Sequence, residues 1–333
     1  MTKKLKILLV DVDSKIPNLA LMKISTYHKS FGNDVDIIKL GFDGYPTHKK
    51  EKIVDAKGYD RTYASCIFTV NKDYFKIINC DYVKIGGTGI DLNYNLPDYV
   101  DCLDEDYSMY PENNDSYGFI TRGCIRNCYF CFVPKKEGKL VEYRDWQKIV
   151  KHKRTYFLDN NFLAYWDHKK ILKELVDNNV FFQFNQGLDI RLLDHENAKL
   201  LSEAKYVGDY IFAFDDVKYE KMIERGLNIF KTYISRNWRS KFFVYAHPDM
   251  EIKDITYRID WLKRNKALPY LMRDKSCWSS PNSNFYVDLA SWCNQAGLFK
   301  NMTFEEYVTK RHSRAKEINR NRIELGIKLY NTK

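Results

Sequence analysis

Three cysteines stand close together in the stretch Y-G-F-I-T-R-G-C-I-R-N-C-Y-F-C-F-V-P at residues 117–134. Cys124, Cys128 and Cys131 have C-x3-C-x2-C spacing and follow a short apolar run. Three thiolates this close together can ligate three irons of a cubane iron–sulfur cluster and leave the fourth iron without a protein ligand. An open iron can coordinate another molecule, so the spacing indicates catalysis more than electron storage.

Zinc and ferredoxin-type clusters are the alternative uses of such cysteines. Structural zinc usually takes four N or S ligands in paired knuckles, and the nearest downstream histidines, His152 and His168, form no second knuckle. Ferredoxin-type clusters use four cysteines, often with the last one before a proline; here Pro134 follows Cys131 without a fourth cysteine. A non-catalytic protein with a structural zinc therefore stays open as a second hypothesis.

With Phe130 as the aromatic residue, C-x3-C-x-aromatic-C resembles the signature of the radical S-adenosylmethionine (SAM) superfamily. The resemblance implies that the three cysteines ligate a [4Fe-4S] cluster whose open iron binds SAM, with Phe130 near the adenine. It also implies reductive cleavage of SAM to a 5′-deoxyadenosyl radical, which abstracts hydrogen from an unidentified substrate. A degenerate fold that keeps the cluster only for binding or electron transfer is a third hypothesis.

Residues 1–105 are predicted to form a Rossmann-like α/β domain. Buried strands are expected at residues 7–10, 35–40, 65–70 and 82–85, with a helix that Pro17 opens and Gly32 ends. Strand, helix and strand at this spacing imply parallel pairing. The glycine-rich residues 86–89 lack the full dinucleotide fingerprint, so a tight turn is expected there. Residues 90–116 contain few periodic positions and are predicted to be a linker.

Six apolar runs, each followed by a helical pattern, begin at Tyr117 and predict a partial (β/α)6 barrel. They lie at residues 117–121, 155–158, 180–184, 210–214, 242–246 and 269–272. The cysteines follow the first run, as in radical SAM barrels. The runs predict an α/β fold class, and the resemblance implies a Rossmann-like domain of the cobalamin-binding type (1–105), a radical SAM partial barrel (112–275) and a helical C-terminal extension (276–333).

Polar residues end the predicted barrel strands, where active sites of parallel barrels lie. By resemblance, the residues after the second run are candidates to meet the SAM amino group, and N-Q-G-L-D-I-R is a candidate for its ribose and carboxylate. The candidate cofactor-binding residues are Phe130, Asp159, Asn160, Asn161, Gln186, Asp189, Arg191 and Asp215. Helix capping by Asp and Asn is the alternative role, and a salt bridge with Asp189 or Asp194 is the alternative for Arg191.

The α/β domain ahead of the barrel, with C-F-V-P-x-x-E-G after the cluster, resembles the branch of cobalamin-dependent enzymes and tRNA methylthiotransferases. Asp11, Asp13 and Ser14 do not form the D-x-H-x-x-G loop that supplies a histidine to cobalamin, although some relatives bind cobalamin without it. A second cluster would need three more cysteines, and Cys66, Cys80 and Cys102 do not match the expected positions.

The 333-residue chain carries a formal net charge of +10, which suggests an anionic partner such as tRNA. A basic C-terminal helix and the loop S-R-N-W-R-S, with Trp238, could bind nucleic acid, although a solvated helix and a packed tryptophan are equally ordinary. The apolar N-terminal run is cut short by Asp11 and Asp13. We therefore expect a cytoplasmic protein with no membrane partner. The resemblance to radical SAM enzymes implies an external electron donor of flavodoxin or ferredoxin type.

Overall fold

The computed structural model describes residues 3–42 and 50–310, which divide into two compact units. Unit 1 comprises Met1–Gly118, Arg126–Gly138 and Arg144–Thr155, and unit 2 comprises Phe119–Ile125, Lys139–Tyr143 and Tyr156–Lys333. The predicted basic helix, with Arg311, Arg314, Lys316, Arg320 and Arg322, lies outside the described residues. The predicted domain ranges stay a prediction.

Unit 1 is built on a four-stranded parallel sheet. Its strands are β1 Lys6–Asp11, β2 Asp34–Lys39, β3 Lys52–Asp55, β4 Arg61–Ser65, β5 Phe75–Ile78, β6 Val83–Gly86 and β7 Asp115–Gly118. Its helices are α1 Leu19–Ser30, α2 Asp98–Asp101, α3 Val133–Lys136 and α4 Trp146–Ile149. The main sheet has the order β2-β1-β4-β6, and β3 pairs with β5 in a separate parallel pair. The predicted parallel α/β arrangement is confirmed.

Two local predictions in unit 1 are wrong. A strand was expected at residues 65–70, but the observed strand β4 ends at Ser65. It ends there because the Asp13 carboxylate accepts hydrogen bonds from the backbone N–H groups of Ile67 and Phe68, at 2.7 and 2.9 Å. Those amides are then lost to the sheet ladder. The first helix begins at Leu19 rather than Pro17, because the Asn18 side chain caps it by accepting from Leu21 N.

The glycine-rich turn after β6 is a close packing element, as expected. Gly87 has φ +101°, and a Cβ there would lie 2.3 Å from the Cys66 carbonyl oxygen. A Cβ at Gly89 would lie 2.7 Å from the backbone carbon of Phe68. Only glycine lets the two backbones approach this closely.

The predicted linker is also wrong, because part of it packs into unit 1. Met109 and Tyr110 are buried against Ile7 and Leu9 of β1. The Tyr110 hydroxyl donates to the Asp11 carboxylate at 2.8 Å. Two apolar side chains without helical or strand periodicity were enough to anchor this segment to the sheet.

Unit 2 carries the remaining strands and helices. Its strands are β8 Thr121–Arg122, β9 Val141–Glu142, β10 Arg154–Phe157 (whose first two residues fall in unit 1), β11 Phe181–Phe184, β12 Lys205–Tyr206, β13 Tyr210–Ala213, β14 Ser240–Ala246 and β15 Leu268–Arg273. Its helices are α5 His168–Asp177, α6 His195–Glu203, α7 Glu220–Tyr233, α8 Ile252–Arg264, α9 Ser283–Cys293, α10 Ala296–Asn301 and α11 Phe304–Lys310. Five of the six predicted runs are strands, and the first is interrupted between β7 and β8.

The strands of unit 2 do not form one continuous ladder in the described chain. β10, β11 and β12 are neighbours in one sheet, and β13, β14 and β15 form a second, parallel one. The Gln183 amide donates to the Asp209 carbonyl at 2.8 Å, and the two-residue β12 pairs with β11. The bond from Leu188 N to Ile211 O at 2.7 Å links the residues that follow β11 to β13 of the second sheet.

The residue that follows α9 covers part of the β15 edge of the second sheet. Asn294, at the end of α9, accepts from Leu271 N at 2.6 Å and donates to Leu271 O at 3.2 Å. Its amide thus pairs with the exposed backbone of β15 as a further strand would. Among the described helices, none combines the length and apolar character that crossing a bilayer requires.

Candidate functional site

Asp159 fastens the chain segment that leads into the cysteine loop. It follows β10 and is completely buried. One carboxylate oxygen accepts from the backbone N and the hydroxyl of Thr121, at 2.6 and 2.7 Å, and the other accepts from Ile120 N at 3.1 Å. Burial raises the pKa of Asp159 to about 6, against the effect of these hydrogen bonds. The carboxylate therefore fixes the backbone three residues before Cys124.

Asn161 lies directly against Cys124. Its side chain is buried, with 3% of its surface exposed, and its Nδ2 donates to Cys124 Sγ at 3.6 Å. The Asn161 Oδ1 is also buried and has no hydrogen-bond partner among the described residues. Leaving a buried acceptor unsatisfied costs about 1–3 kcal/mol. Such an oxygen fits a site that receives a hydrogen-bond donor from a bound molecule.

An aromatic core beneath Asn161 holds it in place. Phe162 is fully buried and stacks on Phe184 of β11 with ring centroids 4.3 Å apart. The Asn161 carbonyl accepts from Ala164 N at 3.2 Å and so closes a short turn after β10. The amide is thus presented by a rigid strand end.

The other two cysteines of the motif belong to unit 1. Cys131 N donates to the Cys128 carbonyl at 2.9 Å, which makes a tight turn, and all three cysteines are partly exposed. Phe130 contacts Tyr129 edge to face, with centroids 5.3 Å apart. Within residues 3–42 and 50–310, no three His, Cys, Asp or Glu side chains are gathered as a metal site. The donor chemistry fits an iron–sulfur cluster, and the ligation stays a prediction.

Arg191 and Asp189 form the salt bridge that was the alternative role of this pair. Arg191 donates from Nε and Nη2 to the two oxygens of Asp189 at 2.7 and 2.9 Å. The guanidinium also lies 4.7 Å from the centroid of the Tyr219 ring. Of the other candidates, Gln186 is exposed and Asn160 is half-buried. Contact of any of these residues with SAM stays a prediction.

Asp215 lies at the end of β13 beside a buried arginine that the sequence did not single out. It accepts from Tyr245 N at 2.9 Å, and burial raises its pKa to about 6 although the charges of Arg258 and Arg191 act in the opposite direction. Arg258 is fully buried and donates to the carbonyls of Phe214 and Tyr245 at 2.8 and 3.1 Å. It therefore ties the ends of β13 and β14 together.

A second polar group occupies the ends of β14 and β15. The Tyr245 hydroxyl donates to Asp274 at 3.0 Å, and the His247 ring stacks on Tyr245 at 6.4 Å. The Cys277 thiol donates to the Ala246 carbonyl at 3.5 Å. The Tyr286 hydroxyl is buried without a partner in the described structure. His247 and Asp274 are among the polar residues that end the predicted barrel strands, whereas Tyr286 lies on α9, away from those strand ends in the sequence.

Comparison with known protein families and with characterised proteins gives no match. Among solved structures, the chain resembles the cobalamin-dependent S-adenosylmethionine radical enzyme OxsB, determined with aqua-cobalamin and S-adenosylmethionine bound. The TM-score is 0.52 at 11% sequence identity, over 90% of this chain and 56% of OxsB. The chain thus spans little more than half the length of that enzyme. At this identity the likeness shows a shared fold, and the α/β architecture with parallel sheets agrees with it.

Proposed function

We propose that this chain is a radical SAM enzyme in which Cys124, Cys128 and Cys131 hold a [4Fe-4S] cluster. The observation that carries the proposal is the contact between Cys124 Sγ and the buried Asn161 amide, whose oxygen has no partner in the described structure. The fold likeness to a SAM radical enzyme supports it independently. A motif cysteine thus adjoins a strand-end side chain with unused hydrogen-bonding capacity.

When bound, such a cluster with SAM supplies reductive cleavage of the SAM C5′–S bond and hence a 5′-deoxyadenosyl radical. The protein side chains supply position and polarity. Asp159 holds the backbone of Thr121 ahead of the cysteine loop. Asn161 Oδ1 offers an acceptor to an amino group of the ligand, and Arg258 holds the ends of β13 and β14. Hydrogen is taken from a substrate whose identity these residues do not specify.

The proposal assigns no residue of the described strand ends of unit 1 to cobalamin. Asp13 accepts from Ile67 N, Phe68 N, the Asn71 amide and the Cys66 thiol. Asp11 accepts from Tyr110 and from Ser14 N. These carboxylates are engaged by the chain's own groups at the carboxyl ends of β1 and β4, and the proposal assigns no step to cobalamin.

An external electron donor of flavodoxin or ferredoxin type and an anionic substrate such as tRNA belong to the same proposal. The net charge of +10 supports the substrate class. Trp238 packs edge-on against Phe299 at 6.2 Å, and Lys300 lies 5.6 Å from its centroid, so its ring is engaged within unit 2. Binding of bulk tRNA that weakens steeply between low and high salt supports the anionic substrate, and salt-independent binding contradicts it.

The proposed reaction is tested by anaerobic purification, reconstitution with iron and sulfide, reduction with dithionite and assay of 5′-deoxyadenosine. The wild-type chain is expected to form the nucleoside from SAM, and Cys128→Ala is expected to form none. A colourless protein that retains zinc overturns the proposal. A brown protein that never cleaves SAM, with or without candidate substrates, favours the degenerate fold.

A further inference from the structure

We infer that Asn161 is a positioning residue that donates a hydrogen bond to Cys124 Sγ and thereby raises the reduction potential of the cluster. The inference rests on the proposed function. The inference goes beyond the proposed function, because it assigns to Asn161 Nδ2 a role separate from the binding of SAM.

The geometry of the amide supports this role. Nδ2 lies 3.6 Å from Cys124 Sγ, an ordinary distance for a hydrogen bond to the large sulfur atom. The residue is 3% exposed, so water does not compete for the donor. The adjoining turn is fixed by the bond from Ala164 N to the Asn161 carbonyl. The amide therefore keeps its direction toward the sulfur.

The backbone that leads to the Cys124 sulfur is also anchored. Cys124 follows Thr121, whose backbone N and hydroxyl both bind the buried Asp159 carboxylate. Asp159 and Asn161 are two residues apart on the same strand end, so one element fixes both partners of the contact. A change in the Asn161 side chain consequently alters the hydrogen bond while the Asp159 anchor remains.

Electrostatics sets the sign of the effect. Reduction adds an electron to the cluster and increases the negative charge on its thiolate sulfurs. An N–H group directed at a thiolate stabilises the reduced state more than the oxidised state, and low local polarity strengthens the interaction. Removing the donor should therefore lower the potential.

The test is an EPR-monitored potentiometric titration of the reconstituted full-length chain. Asn161→Leu removes the donor at nearly constant volume, and Asn161→Asp replaces it with a second oxygen. Asn178→Leu, at an exposed amide beyond α5, is the matched control. Iron content and far-UV circular dichroism identify a variant that misfolds. We expect about a tenfold change in the reduction equilibrium, a shift of ~59 mV to lower potential for one electron.

The outcomes separate this inference from the proposed function. A lower potential in both Asn161 variants, with Asn178→Leu unchanged, supports the hydrogen bond. A cluster that assembles in all variants at the wild-type potential overturns the inference and leaves the proposed function standing. A wild-type chain that binds no cluster overturns both.

Discussion

The two units treat the carboxyl ends of their parallel strands differently. In unit 1, the buried Asp13 carboxylate accepts four hydrogen bonds from the loop after β4. In unit 2, the buried Asn161 Oδ1, after β10, and the buried Tyr286 hydroxyl, on α9, have no partner in the described chain. The carboxyl edge of the unit 1 sheet is closed by its own side chains, whereas unit 2 retains buried polar atoms without a hydrogen-bond partner in the described structure.

This difference indicates where a ligand binds. Unsatisfied buried polar groups are costly and rare in native proteins, so the unpartnered Asn161 Oδ1 after β10 calls for a compensating interaction. Ligands of open α/β sheets bind at the carboxyl ends of strands. We therefore expect the strand ends of unit 2, rather than those of unit 1, to contact the bound ligand.

The largest effect on folding is expected from Asp13→Ala in unit 1. It leaves the N–H groups of Ile67 and Phe68 and the Asn71 amide without their acceptor. The expected loss in the free energy of unfolding is about 3–5 kcal/mol. Urea denaturation measures it, with Asp73→Ala, on the same unit, as a control. A loss below 1 kcal/mol would mean that this edge is not closed as tightly as the contacts indicate.

Asp159→Asn should have a smaller effect on stability and a marked effect on the site. The new amide nitrogen faces at least one of the donors on Ile120 and Thr121, so a hydrogen bond is replaced by donor–donor repulsion. We expect a loss of about 1–3 kcal/mol and a fall in SAM cleavage at saturating SAM. Thermal unfolding and the nucleoside assay measure the two. Unchanged cleavage at reduced stability would assign Asp159 a purely structural role.

Much of the fold follows from local patterns, and the errors arise from distant contacts. Runs such as 242–246 predicted strands because apolar side chains on both faces mark a buried parallel strand. The strand predicted at 65–70 failed because Asp13, more than fifty residues earlier, takes the amides of Ile67 and Phe68. The motif cysteines were evident from spacing. The contact of Asn161 with Cys124 was not, because 37 residues separate them.

In unit 2, the raised pKa of Asp215 should make a contribution to stability that declines from acid toward neutral pH. Burial raises the pKa of Asp215 from 3.8 to about 6, so the native state keeps a proton that the unfolded chain loses at lower pH. The contribution is full below pH 4 and lost as pH rises through 6. Asp215→Asn should flatten the decline by about 1–2 kcal/mol. Denaturation between pH 4 and 7.5 tests this, and an unaltered slope contradicts it.

The smallest effect is expected from Cys102→Ser. Cys102 is exposed in unit 1, so the change in stability should stay within about 0.5 kcal/mol. Iron per chain should equal that of the wild type, because the account assigns no cluster to Cys102. Loss of iron in Cys102→Ser, with the fold intact by circular dichroism, would indicate a second cluster that includes Cys102. That result would contradict the expectation that unit 1 binds no ligand of its own.

The central claim, that this chain holds a cluster whose open iron binds SAM, is tested most directly by EPR of the dithionite-reduced protein with and without SAM. The account predicts a [4Fe-4S] signal whose g values change when SAM is added, and no signal in Cys128→Ala. A cluster signal that SAM leaves unchanged, or a wild-type chain without a cluster, would contradict it.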